Sequence, residues 1–294
     1  MTSALTFSML SALLVWWAGR RDAACDSRLT TAALGLLAMF PLLGMLPKWE
    51  VLPAAVPQAV VGAGGGWLAG LWLAGVVVMV GRLVAAARTV GRWREESILI
   101  DRRGDVEIRI SPRLSGPVAA GVWRPVILLP EAWAGWDEGT RRAVLLHEFA
   151  HHARRDPLRR WVAAVACALH WFNPLVWWMA GRLHEQCEYA CDARVLAAGV
   201  GAERYARLLC DLAEAGAPPQ PALAMSGRSA LENRVRRLCA GARPGWSTAL
   251  VVLVIATILI TGLGLVLLKP AAARGPAVPR SEVELRLTAN PFPG

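Results

Sequence analysis

The sequence predicts a mainly α-helical, multi-pass membrane protein with four transmembrane helices and a cytosolic α+β domain inserted between the third and fourth. Charged residues make up only 18% of the 294 positions and hydrophobic residues 55%, with a mean hydropathy of +0.40. Soluble globular chains carry about 25% charged residues. The deficit is concentrated in four blocks without Asp, Glu, Lys or Arg: Met1–Gly19, Leu29–Pro47, Val51–Gly81 and Pro244–Leu268. Each approaches or exceeds the roughly 20 apolar residues that cross a bilayer as helix. Arginines gather on alternate sides of these blocks, and that pattern sets one orientation.

The first span, about 4–19, has no basic residue before it and Arg20-Arg21 after it. A cleaved leader has the opposite polarity, so this span reads as a retained anchor with its N-terminus external. Arg20, Arg21 and Arg28 keep the following loop in the cytosol, and the second span, about 29–47, leads out. Lys48 and Glu50 lie in an external loop, and the third span, about 60–84, returns to Arg82, Arg88, Arg92 and Arg94. Arg234, Arg236, Arg237 and Arg243 precede the fourth span, 244–268, so the tail 269–294 is external. The expected location is the plasma membrane, and residues 1–88, 89–243, 244–268 and 269–294 form the successive units.

The net charge of +10, from 30 Arg and two Lys against 22 acids, lacks a basic stripe with interleaved aromatics. Direct contact with nucleic acid is therefore not expected. Six cysteines without a CxxC pair, most in the cytosolic unit, argue against disulfides and against a cysteine zinc site.

Within 89–243, strands are expected at Ser97–Ile100, at Val106–Ser111 with Glu107 and Arg109 outward, and at Pro125–Leu129. From Asp137 the pattern turns helical, with Asp137 or Thr140 as the cap. Further helices are expected over Leu158–His170, Leu175–Val195 and Ala202–Ala213. Asn173-Pro174 breaks the first two, because proline disfavours helix in the residue before it. The stretch 161–180 carries four tryptophans and no charge, and reads either as a hairpin dipping into the cytosolic leaflet or as a buried helix pair. In the tail, Glu282–Leu287 alternates as one strand.

All five histidines fall between positions 147 and 184, and two form His147-Glu148-Phe149-Ala150-His151. Residues four apart share a helix face, so both imidazoles can reach one metal, with Glu148 aimed at its water as the general base. A catalytic zinc takes three protein ligands and keeps one position open. Glu188 is the favoured third ligand, with Glu185 one turn earlier as competitor. Asp192, four residues beyond Glu188, is placed to hydrogen-bond the outer nitrogen of a ligand histidine. The rival reading of Asp192 is a surface acid paired with Arg194 or Arg155. His152, His170 and His184 remain candidates for stabilising an oxyanion.

The segments LLHEFAHHARRDPLRR, LHWFNPLVWW and EQCEYACDARVL, flanked by SPRLSGPVAAGVWRPVILLP and MSGRSALENRVRRL, resemble the membrane zinc peptidases of the BlaR/MecR type. These are sensor-transducers of β-lactam resistance. The resemblance covers about Ile98–Cys239 and the four-span layout. It implies a gluzincin-like fold, Zn2+ held by His147, His151 and Glu188, Glu148 as general base, and Asp192 as the family's following acid. The penicillin-binding sensor domain with its Ser-x-x-Lys motif has no counterpart after Leu268, so a sensorless relative or a piece of a longer chain is expected.

The expected function is a zinc-dependent membrane endopeptidase acting in signal transduction. Its substrate, by resemblance, is a winged-helix transcriptional repressor or the chain itself, and Pro117–Leu129 offers an edge strand along which an extended substrate pairs. The lipid bilayer is the second expected partner, and a second copy of the chain in a homodimer is a third. Two rivals stay open: a non-catalytic signalling scaffold that keeps the zinc, and a housekeeping membrane zincin of the stress-protease or prenyl-protease kind.

Overall fold

The computed structural model describes residues 9, 12, 23–43, 49–53, 65–214, 227–240, 256, 260 and 268–271. The expected spans 4–19 and 244–268 therefore lie almost wholly outside the described residues, as does the strand expected at Glu282–Leu287.

Helix α1 (Ala23–Leu43) precedes a short strand β1 (Trp49–Pro53) and helix α2 (Gly65–Glu95). Helix α1 starts six residues before the uncharged block, and Ser27 and Thr30 are fully buried. The early start follows from its partners, for Ser27 accepts hydrogen bonds from Arg154 and Arg159, both at 2.9 Å. Within α2, Ala69–Glu95 is long and apolar enough to cross a membrane, and none of its apolar window is buried by protein. The helix continues past Arg82 to Glu95, and its last turn docks on the sheet through Arg94.

That sheet has the order β2-β3-β5-β4, from β2 (Ile98–Arg103), β3 (Val106–Ser111), β4 (Val118–Ala120) and β5 (Val126–Pro130). Strands β2 and β3 pair antiparallel through a turn at Gly104, β3 and β5 run parallel, and β4 closes the far edge antiparallel to β5. Gly104 has φ +59°, which a turn this tight requires and glycine adopts without strain. Glu107 points inward rather than outward. It is 9% exposed and takes Arg94 and Arg102 at 2.7 Å each and Arg109 at 3.3 Å. Arg94 belongs to the last turn of α2, so this buried cluster fastens α2 to the sheet.

After a 3-10 turn (Glu131–Gly135) come helices α3 (Glu138–Ala153), α4 (Asp156–Leu169), α5 (Pro174–Ala197), α6 (Ala202–Glu214) and α7 (Gly227–Ala240). Strand β6 (Leu268–Ala271) pairs parallel with β1. Asp137, not Thr140, caps α3, accepting from the backbone amides of Gly139 at 2.9 Å and Thr140 at 3.1 Å.

Three apolar clusters surround α3 and α5. Ile108, Ile127 and Leu129 of the sheet pack on Val144, with Phe149 at the margin. Ala143 and Val195 meet Tyr205, Leu209 and Leu238 from α6 and α7. Ala33, Leu34 and Leu37 of α1 pack against Ala163, Ala166, Val176, Met179 and Leu183 of α4 and α5. A continuous core therefore crosses residue 88, where the sequence reading places the end of the membrane unit.

Candidate metal centre

His147 and His151 lie one turn apart on the inner face of α3, 8% and 4% exposed. Their Nε2 atoms are 3.2 Å apart. Glu188 of α5 brings one carboxylate oxygen to 3.3 Å from His147 Nε2 and the other to 3.4 Å from His151 Nε2. An ion bound tetrahedrally at about 2.0–2.1 Å keeps its ligand atoms about 3.3 Å apart. The two Nε2 atoms stand at about that spacing and each has one Glu188 oxygen within 3.4 Å, so the three side chains can converge on one such ion. Glu185 does not join them, because it turns outward and pairs with Arg182 at 3.0 Å.

Each histidine is oriented through its other nitrogen. His151 Nδ1 lies 3.1 Å from Asp156 Oδ2. Asp156 opens α4 and is fully buried, and it reaches back to α3 because Arg155 between the helices adopts φ +58° and ψ +35°. A left-handed conformation is uncommon for a residue with a Cβ and marks a position the surrounding structure determines. Burial alone would raise the Asp156 pKa, but the hydrogen bond from His151 and the charge of Arg154 outweigh it and hold the carboxyl below its usual range.

His147 Nδ1 faces Asp192 Oδ1 at 3.3 Å and the Tyr205 hydroxyl at 2.9 Å. Tyr205 in turn donates to Asp192 Oδ1 at 2.8 Å. Asp192 is 3% exposed and pairs with neither Arg194 nor Arg155. Its partner is Arg234 of α7, which gives Nη2 to Oδ1 at 2.6 Å and Nε to Oδ2 at 2.8 Å. The same guanidinium places Nη1 3.1 Å from Glu188 Oε2, while Arg160 Nη2 donates to Glu188 Oε1 at 2.9 Å. Burial opposes ionisation of Glu188, yet His151 and Arg234 keep its pKa well below normal. Burial likewise opposes Asp192, and Arg234 and His147 bring it down to about 2.

Glu148 is 5% exposed, and among the described residues its carboxylate has no hydrogen bond or ion pair. It is thus an anion-forming group left available beside two converging imidazoles. Of the remaining histidines, His152 lies against the Val126 carbonyl at 3.2 Å and His170 against the Leu37 carbonyl at 2.9 Å, both turned from the cluster. His184 is one turn before Glu188. Its pKa is pushed down to about 4 by burial first and by Arg160 second, so it is a neutral imidazole at pH 7.

A second group, His151, Asp156 and Cys191, also has metal-ligating chemistry. It uses the outer nitrogen of His151, with Cys191 Sγ 3.3 Å from Nδ1 and 3.6 Å from Asp156 Oδ2. Burial pushes the Cys191 thiol up, so it stays protonated and serves as a weak donor to the carboxylate that orients His151.

Sequence reasoning missed Asp156, Arg160, Tyr205 and Arg234. Asp156 carried a readable signal, an acid five residues beyond His151 followed by Pro157 at a helix start. Tyr205 and Arg234 carried none, since each comes from a separate helix whose placement is tertiary.

A family model described as BlaR1 peptidase M56 matches residues 48–238. The regulatory protein BlaR1 of Bacillus licheniformis is 28% identical over 142 residues, which cover 43% of this chain and 24% of that protein. The chain therefore matches about a quarter of the length of this curated relative.

Proposed function

The chain belongs to the BlaR1 peptidase M56 family, and from that premise we propose that it is a membrane-embedded zinc endopeptidase acting in signal transduction. The observation that carries the proposal is the convergence of His147, His151 and Glu188 beside the unpaired carboxylate of Glu148. Two imidazoles and one carboxylate suit zinc.

In this reading His147, His151 and Glu188 hold the ion, and it supplies Lewis acidity to the scissile carbonyl and to the attacking water. Glu148 takes the proton from that water and passes it to the departing amine, which its lack of other partners permits. Asp156 fixes His151, and the Tyr205–Asp192 pair fixes His147, each keeping Nε2 unprotonated toward the ion. Arg234 and Arg160 balance the buried carboxylates. His184, neutral at pH 7, is the histidine best placed to help an oxyanion. An extended substrate pairs with β4, the edge strand of the sheet that packs against α3.

The proposed topology has four spans, with both termini external and the peptidase unit 89–243 cytosolic. The parallel pairing of β1 with β6 supports it, because the chain segments after the second and fourth apolar blocks then lie on one side. The proposed partners are the bilayer, a protein substrate (either a winged-helix repressor or the chain itself) and, in a homodimer, a second copy of the chain. Glu148→Gln tests the reading. It should keep the fold and the zinc while proteolysis drops by about 10²–10⁴-fold. Full proteolysis with metal bound would refute it.

A further inference from the structure

The helix pair α4–α5 meets at a turn, Leu169–Pro174, that packs against the candidate membrane span α2. Trp72 of α2 donates its indole N–H to the Leu169 carbonyl at 2.9 Å, and Trp171 donates to the Trp72 carbonyl at 3.2 Å. The Trp171 ring lies directly on Gly75, where any Cβ would collide with it. These contacts fix how far along α2 the turn reaches. Trp72 and Gly75 precede Arg82, the first charge after the apolar run, by 10 and 7 residues, or about 15 and 11 Å of helix. The hydrocarbon core is about 30 Å thick, so the turn sits close to its middle.

Irregular backbone at that depth needs its polar groups satisfied within the protein, and the carbonyls of Leu169, His170, Trp171 and Asn173 all have partners. The Leu169 carbonyl accepts from Trp72, the Trp171 carbonyl from Trp177 Nε1 at 3.0 Å, and the His170 carbonyl from the Asn173 amide at 2.9 Å. The Asn173 carbonyl takes the Val176 amide at 3.2 Å, and its side chain caps Leu175 at 3.1 Å. His170 reaches the Leu37 carbonyl of α1 at 2.9 Å. The outward face is apolar, with Leu158, Trp161, Val165 and Trp178 each about two-fifths exposed. No charged residue occurs between Arg160 and Arg182.

We infer that α4–α5 is a re-entrant hairpin whose outer face is solvated by acyl chains, and that it holds the metal centre at the cytosolic headgroup layer. Asp156 stands 13 residues before Leu169, about 20 Å back along α4. That places it some 5–9 Å to the cytosolic side of Arg82 by the same helical rise. Of the arginines at this level, Arg154, Arg159 and Arg160 are engaged by Asp156, Ser27 and Glu188, and exposed Arg155 faces outward, where anionic headgroups favour it. The inference rests on α2 crossing the bilayer, as the proposed function has it, and it adds a depth for the site.

The test is nitroxide labelling of the full chain in lipid nanodiscs, with Cys25, Cys210 and Cys239 replaced by serine. Labels at Val165→Cys and Trp178→Cys should be relaxed by oxygen and shielded from a water-soluble nickel chelate. A label at Arg155→Cys should show the reverse, giving an oxygen-to-nickel ratio several-fold lower. All three side chains point outward, so labelling leaves the packing intact. Nickel reaching 165 and 178 as freely as 155 would overturn the inference. Depth is read without peptidase activity, so an inactive chain with a deep hairpin refutes the enzyme reading alone, and an active chain with a shallow one refutes this inference alone.

Discussion

Replacing Asp156 by asparagine removes one charge and almost no volume from a position with no solvent exposure. The carboxylate accepts from His151 Nδ1 at 3.1 Å, from Arg154 Nε at 3.3 Å and from Arg159 Nη1 at 3.4 Å. An asparagine has one acceptor oxygen for these donors, and its amide must face at least one of them. His151 then loses the anion that makes Nε2 basic and fixes its tautomer. Losing such a partner typically weakens metal binding 10–100-fold, which is about 1.4–2.7 kcal/mol. Full burial places Asp156→Asn in the upper half of that range, since water cannot substitute for the lost charge. Glu188→Ala should be worse, because a ligand is gone. Competition against a chromophoric zinc chelator in detergent measures both, with thermal unfolding followed separately to check the fold. Unchanged zinc affinity in a folded Asp156→Asn protein would refute the orienting role.

Asp192→Asn should weaken zinc binding by only about tenfold, because the Tyr205 hydroxyl at 2.9 Å still holds His147 Nδ1; a loss matching that of Asp156→Asn would contradict this ordering. Asp192 is held down to about 2, below the ordinary 3.8, so its stabilisation is complete above about pH 4 and lost as pH falls through about 2; acid unfolding of the wild type and Asp192→Asn should differ over that window. Burial opposes protonation of His147 in the metal-free protein, but hydrogen bonds with Asp192 and Glu188 outweigh it and raise its pKa from 6.5 to about 9. Metal must displace that proton, so apparent zinc affinity should climb about tenfold per pH unit from 7 to 9 and then flatten, and a flat profile would contradict it. Stability from this proton in the metal-free chain is full below about 6.5 and disappears as pH rises through about 9. Arg234→Met strips a buried partner from two carboxylates and should cost about 3–5 kcal/mol in denaturant unfolding, with Arg234→Lys recovering only part; a cost under 1 kcal/mol would show the clamp to be dispensable.

The parts of this site that were legible in the sequence are those written within one helix. His147, Glu148 and His151 share a face by their spacing, and Glu188 with Asp192 repeats the same logic on α5. Strands β3 and β5 could be read because their apolar character is local, whereas β4, three residues long, gave no pattern of its own. Asp156 depends on the handedness of Arg155, a non-glycine residue at positive φ, which no propensity announces. Arg234 lies 42 residues beyond the carboxylate it clamps, and it looked like one more charge in a topogenic cluster. Glu107 was expected on the outer face because the end of α2 that covers it read only as a membrane flank. Helix α1 carried the deepest ambiguity, since an apolar segment packed on protein and one packed on lipid are written alike.

The burial of α1 against α4 and α5 bears on how this protein can be handled and how it can diversify. A fragment beginning at residue 89 would uncover Ala163, Ala166, Val176, Met179 and Leu183 as one greasy strip. It would also strip Arg154 and Arg159 of Ser27, and Gln186 of Thr30, whose hydroxyl meets it at 3.0 Å. Such a fragment should be recovered as aggregate from any host, while the whole chain in detergent is the unit to purify. Grafting residues 89–243 onto another anchor would fail for the same reason, because α1 is part of the folded core rather than a tether. Any recombination that keeps the chemistry must therefore carry α1 with it.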